Sequence, residues 1–237
     1  MTVQRIDVLD HGYVKLLNVA GPQRRADRRF DASDVDPANS ARMSFNQRDS
    51  GRTYEQEMKL TRYLWNNEHG SPFEMIQTWW EVKLPIFLAR QFVRHRTQSL
   101  NEVSARYTKL PNEWYTPKPE HVTTKSASNK QGRTNQEHPL SQKFASRLKE
   151  HCQKSYAEYE HWLSEGIPPE VARNFLHVNH YTVWLSSMNL RNLSHFLRLR
   201  ADHHAQWEAQ QYASAMLALL RDALPDLMEI VVPRVDK

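Results

Sequence analysis

Residues 85–107 read PIFLARQFVRHRTQSLNEVSARY, and the rest of the chain is organised around them. Arg90, Arg94, Arg96, Arg106 and His95 fall here against a single carboxylate, Glu102. Guanidiniums this close repel one another unless anions sit among them, and each presents a planar fork that grips phosphate at two points. The first inference is an anion site for phosphorylated ligands. Pro85 suits the first turn of a helix, where its missing N–H costs nothing. Ile86, Ala89 and Val93 recur at helical spacing and can face a core. Arg90, Gln91 and Arg94 then lie on neighbouring rows of that helix. From Glu102 the period changes to two. In an extended segment Glu102, Ser104 and Arg106 would share one face, with Val103, Ala105 and Tyr107 on the other. A basic surface helix with solvated charges is the plain alternative. The adjoining apolar run IFLARQFV and the regularly spaced polar groups count against it.

Upstream, residues 4–20 read as two short strands around the turn Asp10-His11-Gly12. Residues 21–32 are polar and loop-like, and a short helix is expected from Asp34 to Phe45. Thr53 to Asn67 carries an amphipathic stripe (Tyr54, Met58, Thr61, Leu64, Trp65) and ends at Gly70 and Pro72. His69 and Ser71 sit at that break. Met75 to Leu84 alternates as a strand, with Trp79 and Trp80 on opposite faces. Downstream, Trp114 to Pro119 suggests a further strand. Residues 120–138 hold little that can pack and read as a mobile surface loop. Pro139 to Glu165 is expected to be the longest helix, stopped by Gly166. A short helix after Pro168-Pro169 bears Arg173. Residues 181–187 read as a strand, Asn189 to Leu199 as a helix, and Ala201 to Leu224 as a last helix ended by Pro225. The expected class is α+β (α/β mixed): a small twisted sheet, several helices and a helix-rich C-terminal half, in a single domain over 1–237.

The 237 residues are 39% hydrophobic and 25% charged, with a formal charge of +5, which suits a globular chain rather than a disordered one. No run is long and apolar enough to span a membrane. The opening MTVQRIDVLD has no apolar leader core, and one cysteine, Cys152, excludes an internal disulfide framework. The expectation is a cytoplasmic protein. Cys152 falls on an apolar helical stripe and reads as a small core residue. His203 and His204 are adjacent, so on a helix they would diverge by about 100°, and no metal site is expected. With six glycines and neither a GxGxxG nor a GxxxxGK run, no Gly-rich nucleotide loop is present. Nucleic acid is the other explanation for a basic chain, but the aromatics are not interleaved with the arginines as stacking platforms.

RHRTQSLNEVSARY resembles the signature of the flavin-dependent thymidylate synthases, an RHR triplet followed by seven residues and a serine, here Arg94, His95, Arg96 and Ser104. HGSPFEM (69–75) looks like the family's H-x-T/S-P-F-E segment and RADHHAQWEAQQYA (200–213) like its R-A-D-x-H-A-Q-W-E-x-Q-x-Y-A segment. The resemblance implies reductive methylation of dUMP to dTMP. Methylenetetrahydrofolate would supply the carbon, FAD would be the redox cofactor and NADPH the reductant, with no covalent enzyme nucleophile. It implies FAD contacts from Ser71, Arg94, His95, Arg96, Asn189, Leu190, Arg191 and His195. It implies a dUMP site from Gln91, Phe92, Val93 and Arg94, from Glu102, Val103, Ser104, Ala105 and Arg106, and from Arg173 and Arg200. Arg200 is the expected catalytic residue, since a guanidinium beside the uracil would stabilise negative charge on the ring. It also implies a homotetramer with active sites shared between subunits.

Overall fold

The computed structural model describes residues 4–22, 32–46, 51–127 and 132–232. Strands β1 (Gln4–Val8) and β2 (Gly12–Ala20) form the expected antiparallel hairpin, with Val8 opposite Gly12. Gly12 is required there, because a Cβ would stand 2.0 Å from the Tyr212 hydroxyl and 2.7 Å from the Val8 carbonyl. Helix α1 (Asp36–Ala41) runs into a 3₁₀ turn, Arg42–Phe45. Helix α2 (Tyr54–Asn66) starts with a reciprocal cap: the Thr53 side chain accepts from the Gln56 N–H, and the Gln56 side chain accepts from the Thr53 N–H. A one-turn helix, α3 (Ser71–Glu74), leads into β3 (Gln77–Pro85). Helix α4 (Ile86–Phe92) then opens the arginine segment with Pro85 just ahead of it.

β3 is the centre of a five-stranded antiparallel sheet in the order β1-β2-β3-β7-β4, where β4 is Ser99–Glu102 and β7 is Tyr181–Asn189. Its alternation is strict. Thr78, Trp80, Val82 and Leu84 are buried, while Trp79, Glu81 and Lys83 are partly exposed. The indole N–H of Trp80 donates to Thr78 Oγ1 at 2.9 Å, and that hydroxyl donates to the Met188 carbonyl at 2.7 Å. The largest side chain of the core therefore leaves no polar atom unsatisfied.

Helices α7 (Leu190–Arg200), α8 (Trp207–Ala223) and α9 (Pro225–Val231) supply much of the core that buries this face, through Leu190, Leu193, Leu197, Tyr212 and Leu227. Between β4 and β7 come a hairpin, β5 (Thr123–Lys125) with β6 (Arg133–Glu137), the 24-residue helix α5 (Ser141–Ser164) and the short α6 (Pro169–Ala172). Gly166 takes φ +84°, as a residue just past a helix C-terminus does. Among the described residues no helix is long and apolar enough to cross a membrane.

Five expectations need correction. The stretch 120–138 is not featureless: it holds a 3₁₀ turn (Pro119–His121) and the β5–β6 hairpin, with 128–131 outside the described residues. The extended segment stops at Glu102, and residues 105–107 form a turn in which the Tyr107 N–H reaches back to the Ser104 carbonyl. The last long helix starts at Trp207, not Ala201. Asp202 accepts the His204 N–H at 2.8 Å, a local bond that competes with helix formation. Pro225 does not simply end a helix but opens α9, where its missing donor is tolerated. Trp114 makes one isolated bridge to His180 rather than a strand. The expected loop at 21–32 lies mostly outside the described residues, since 23–31 are not among them.

Candidate active site

The end of α4, the edge strand β4 and the turn after it enclose a cleft of about 410 Å³. Arg90 and Val93 line it from the helix, Glu102, Ser104 and Ala105 from the strand and turn, and Arg173 from beyond α6. Glu102, Ser104 and Arg173 are held from behind. The buried Thr182 donates its hydroxyl to Glu102 Oε1 at 2.7 Å, so this carboxylate has one oxygen fixed. The Arg106 N–H donates to Ser104 Oγ at 3.2 Å. Arg106 Nε donates to the Glu170 carboxylate at 3.2 Å, and Arg173 Nε donates to the Glu170 carbonyl at 3.3 Å. Glu170 thus gathers two arginines that are 67 positions apart in sequence. That ion pair is half exposed on both sides, which makes it weak and easily exchanged for a phosphate.

The second group meets at the C-terminal end of α7. Arg200 Nε donates to His95 Nε2 at 3.1 Å. His195, five residues earlier, sets its ring 6.4 Å from that of His95, and Phe196 packs edge-on to His95 at 4.9 Å. Burial, then the Arg200 charge, then His195 push the His95 pKa down to about 4. His95 is therefore neutral at pH 7, which is the state in which its Nε2 can accept from Arg200. Burial also lowers the pKa of Arg200. Among the described residues Arg90, Arg94 and Arg96 make no ion pair, and all three are exposed.

The third group lies at the start of α7. Asn189 Oδ1 accepts the Asn192 N–H at 2.9 Å, so this side chain is the helix cap. Arg191 pairs with Glu74 at 2.7 Å and lies flat on Gly70, where an added Cβ would come within 2.3 Å of the guanidinium carbon. Ser71 follows, exposed, on the wall of a separate cavity of about 800 Å³ whose lining includes Met43, Phe45, Tyr63, His69 and Met75.

Within one chain the expected site residues thus fall into three groups. Two of them offer a ligand only their backbone: Phe92 (3% exposed) and Leu190 (0%) point into the core. The reading of His203 and His204 as helical neighbours fails too. They lie in the loop before α8, and their potential ligand atoms and that of Asp202 are within 4.8 Å of one another, all exposed. Thr182, Glu170, Gln206 and Glu208 escaped the sequence reading. Glu170 stands three residues before Arg173, a helical spacing that offered the only local signal.

Comparison with known proteins gives the class of protein. The family described as "Thymidylate synthase complementing protein" matches residues 29–226. The flavin-dependent thymidylate synthase of Wolbachia pipientis wMel is 40% identical over 219 residues, spanning 92% of this chain and 72% of that protein. That of Treponema denticola is 38% identical over 220 residues, spanning 92% and 78%. The crystal structure of the UMP/dUMP methylase PolB from Streptomyces cacaoi bound with 5-Br dUMP superposes with a TM-score of 0.80 at 28% identity, covering 95% of this chain and 96% of that one. Fold and matches together define an enzyme, a methyltransferase. The chain belongs to the flavin-dependent thymidylate synthase family.

Proposed function

We propose that this enzyme methylates dUMP reductively to dTMP, with methylenetetrahydrofolate as carbon donor, FAD as redox cofactor and NADPH as reductant. Family membership supports the methylation of dUMP itself. The observation that carries the detailed reading is the Arg200–His95 contact beside three guanidiniums with no ion pair among the described residues and the Glu102–Arg173 cleft.

The donor set fits a flavin dinucleotide. A pyrophosphate needs cations, and Arg94 and Arg96 are free of carboxylates among the described residues. A ring system needs an apolar wall with a few polar atoms, and the cavity beside Ser71 and His69 has both. Ser71, Arg94, His95, Arg96, Asn189, Arg191 and His195 would hold the flavin, with Leu190 contributing its backbone. When bound, the flavin supplies the hydride chemistry that no side chain offers.

The chain's own residues bind and polarise the nucleotide. Arg106, Arg173 and the Ser104 hydroxyl take the phosphate, with Arg106 released from the Glu170 carboxylate as it enters. Glu102, Val103 and Ala105 wall the cleft, Gln91 and Arg94 border it, and Phe92 and Val93 add backbone contacts. Arg200 acts on the ring. His95 accepts its Nε–H and leaves the two terminal nitrogens to face the uracil, where they stabilise developing negative charge. No covalent nucleophile is needed. Cys152 is 3% exposed, its thiol pKa is raised by burial, and Asn179 Nδ2 donates to its sulfur at 3.3 Å. Ser104 Oγ accepts from a backbone N–H and has no general base beside it among the described residues.

We further propose a cytoplasmic homotetramer, with a single domain per chain over 1–237 and active sites shared between subunits. Val93, Val103, Tyr107 and Leu199 are exposed around the cleft and the end of α7, an apolar rim that neighbouring subunits would cover. Release of flavin on denaturing the purified protein, together with NADPH oxidation that requires both dUMP and the folate, tests the reading. A colourless protein that forms no dTMP with added FAD overturns it. Light scattering on the same sample tests the tetramer.

A further inference from the structure

Glu208 is almost fully buried at the first turn of α8, with its side chain 3% exposed. Its two oxygens are surrounded by donors. The Tyr115 hydroxyl reaches Oε1 at 3.1 Å, Arg133 Nη2 lies 3.2 Å from both oxygens, and Gln206 Nε2 reaches Oε2 at 2.9 Å. Arg133 comes from the β5–β6 hairpin and also donates to the His121 carbonyl at 3.0 Å, while the His121 ring stacks on Trp207 at 3.6 Å. The hairpin therefore clamps the start of α8. Burial, followed by the Glu208 charge, pushes the Tyr115 pKa up, so Tyr115 remains a donor.

A carboxylate can only accept hydrogen bonds. It forces the Gln206 amide to turn its NH₂ inward and its carbonyl outward. That carbonyl in turn accepts from Gln91 Nε2 at 2.5 Å. With Nε2 turned toward Gln206, Gln91 keeps one further N–H and directs its Oε1 away from that contact. We infer that Glu208 is a positioning residue that sets the polarity of a relay, Glu208 to Gln206 to Gln91, so that Gln91 meets the nucleotide with a hydrogen-bond acceptor. The ligand group selected is a donor, either the uracil N–H or a sugar hydroxyl. The relay rests on the reading of Gln91 as a border of the dUMP site. Its second part is a role for the hairpin, which fixes the orientation of Glu208 through Arg133.

The test uses the full, flavin-loaded protein and titrates dUMP by calorimetry, with KM and kcat measured alongside. Glu208→Gln keeps the volume but lets the amide at 208 face either way. Gln206→Ala cuts the relay while leaving Glu208 bonded to Tyr115 and Arg133, and it serves if the first variant folds poorly. Each is expected to weaken dUMP binding and raise its KM about tenfold, the scale of one oriented hydrogen bond, with kcat within about twofold of the parent. Added to Gln91→Ala, neither should cause a further loss. The analogue lacking the 3′-hydroxyl identifies the donor: it loses sensitivity to Glu208→Gln if the sugar is the partner and keeps it if the base is. Unchanged dUMP affinity in both variants, or losses that add to that of Gln91→Ala, overturns the relay and leaves the enzyme's function standing. A parent protein that takes no dUMP overturns the function reading, and the relay with it.

Discussion

Arg200 Nε donates to His95 Nε2 at 3.1 Å, which joins the last residue of α7 to the centre of the RHR triplet, 105 positions away. The bond occupies the inner guanidinium nitrogen and leaves the terminal fork without a partner among the described residues. Arg200→Ala is expected to fold, to keep its flavin, and to lose about 100-fold in kcat, the effect of removing one charge-stabilising donor. Arg200→Lys should rescue little, because an ammonium has no planar fork. Single-turnover dTMP formation checks both, and unchanged turnover in Arg200→Ala would remove Arg200 from the mechanism.

The same contact gives acid sensitivity with a defined sign. His95 and His180 both have folded pKa values lowered from 6.5 to about 4, in each case first by burial. Between these values the unfolded chain binds protons that the folded chain does not, so stability rises with pH across the window. It is fully present above pH 6.5 and lost as pH falls toward 4. Protonating His95 also removes the acceptor for Arg200 and sets two cations together, so activity should fall on the same limb. Replacing His95 with Asn should reduce the pH slope of the unfolding free energy by about one proton at most. Denaturant titrations at a series of pH values measure that slope, and an unchanged slope would show that His95 titrates normally.

Much of the frame was legible because it rests on local rules. The period-two burial of β3, the Thr53 cap of α2 and the glycine after α5 are dictated by neighbours in sequence. The misses have two causes, a short-range bond that competes with a helix and a partner too distant for any local pattern to reveal. Asp202 captures the His204 N–H and delays α8 to Trp207, and Arg133 finds Glu208 75 positions away, giving the 120–138 stretch an anchor. Candidate site residues could be named from the sequence, but their arrangement could not. Asn189 caps a helix and Leu190 fills the core, and neither role can be read from a motif that names them beside Arg191.

Thr78 gives a stability prediction separate from catalysis. It is fully buried on β3 and bonds both Trp80 and the Met188 carbonyl. Thr78→Val keeps the shape but strands the buried indole N–H, a loss of about 1–3 kcal/mol. The unfolding midpoint in denaturant should drop at constant slope, with KM for dUMP unchanged. A variant as stable as the parent would mean that the indole had found another acceptor.

In the proposed dUMP site, Glu170 would compete with the phosphate. Its carboxylate pairs with Arg106 and its carbonyl accepts from Arg173, so a phosphate entering the cleft must displace the first contact. Both partners of the ion pair are half exposed, and removing it should change stability by at most about 1 kcal/mol. Glu170→Gln leaves the backbone contact in place and removes the competing charge. Binding of dUMP should therefore tighten, by a factor of about two to five given the modest strength of exposed pairs. Deoxyuridine, which lacks the phosphate, should gain nothing. Calorimetric titration of both ligands separates the effects: equal gains for the two would place Glu170 near the base, and weaker dUMP binding would mean that its carboxylate holds Arg106 in the binding pose instead of shielding it.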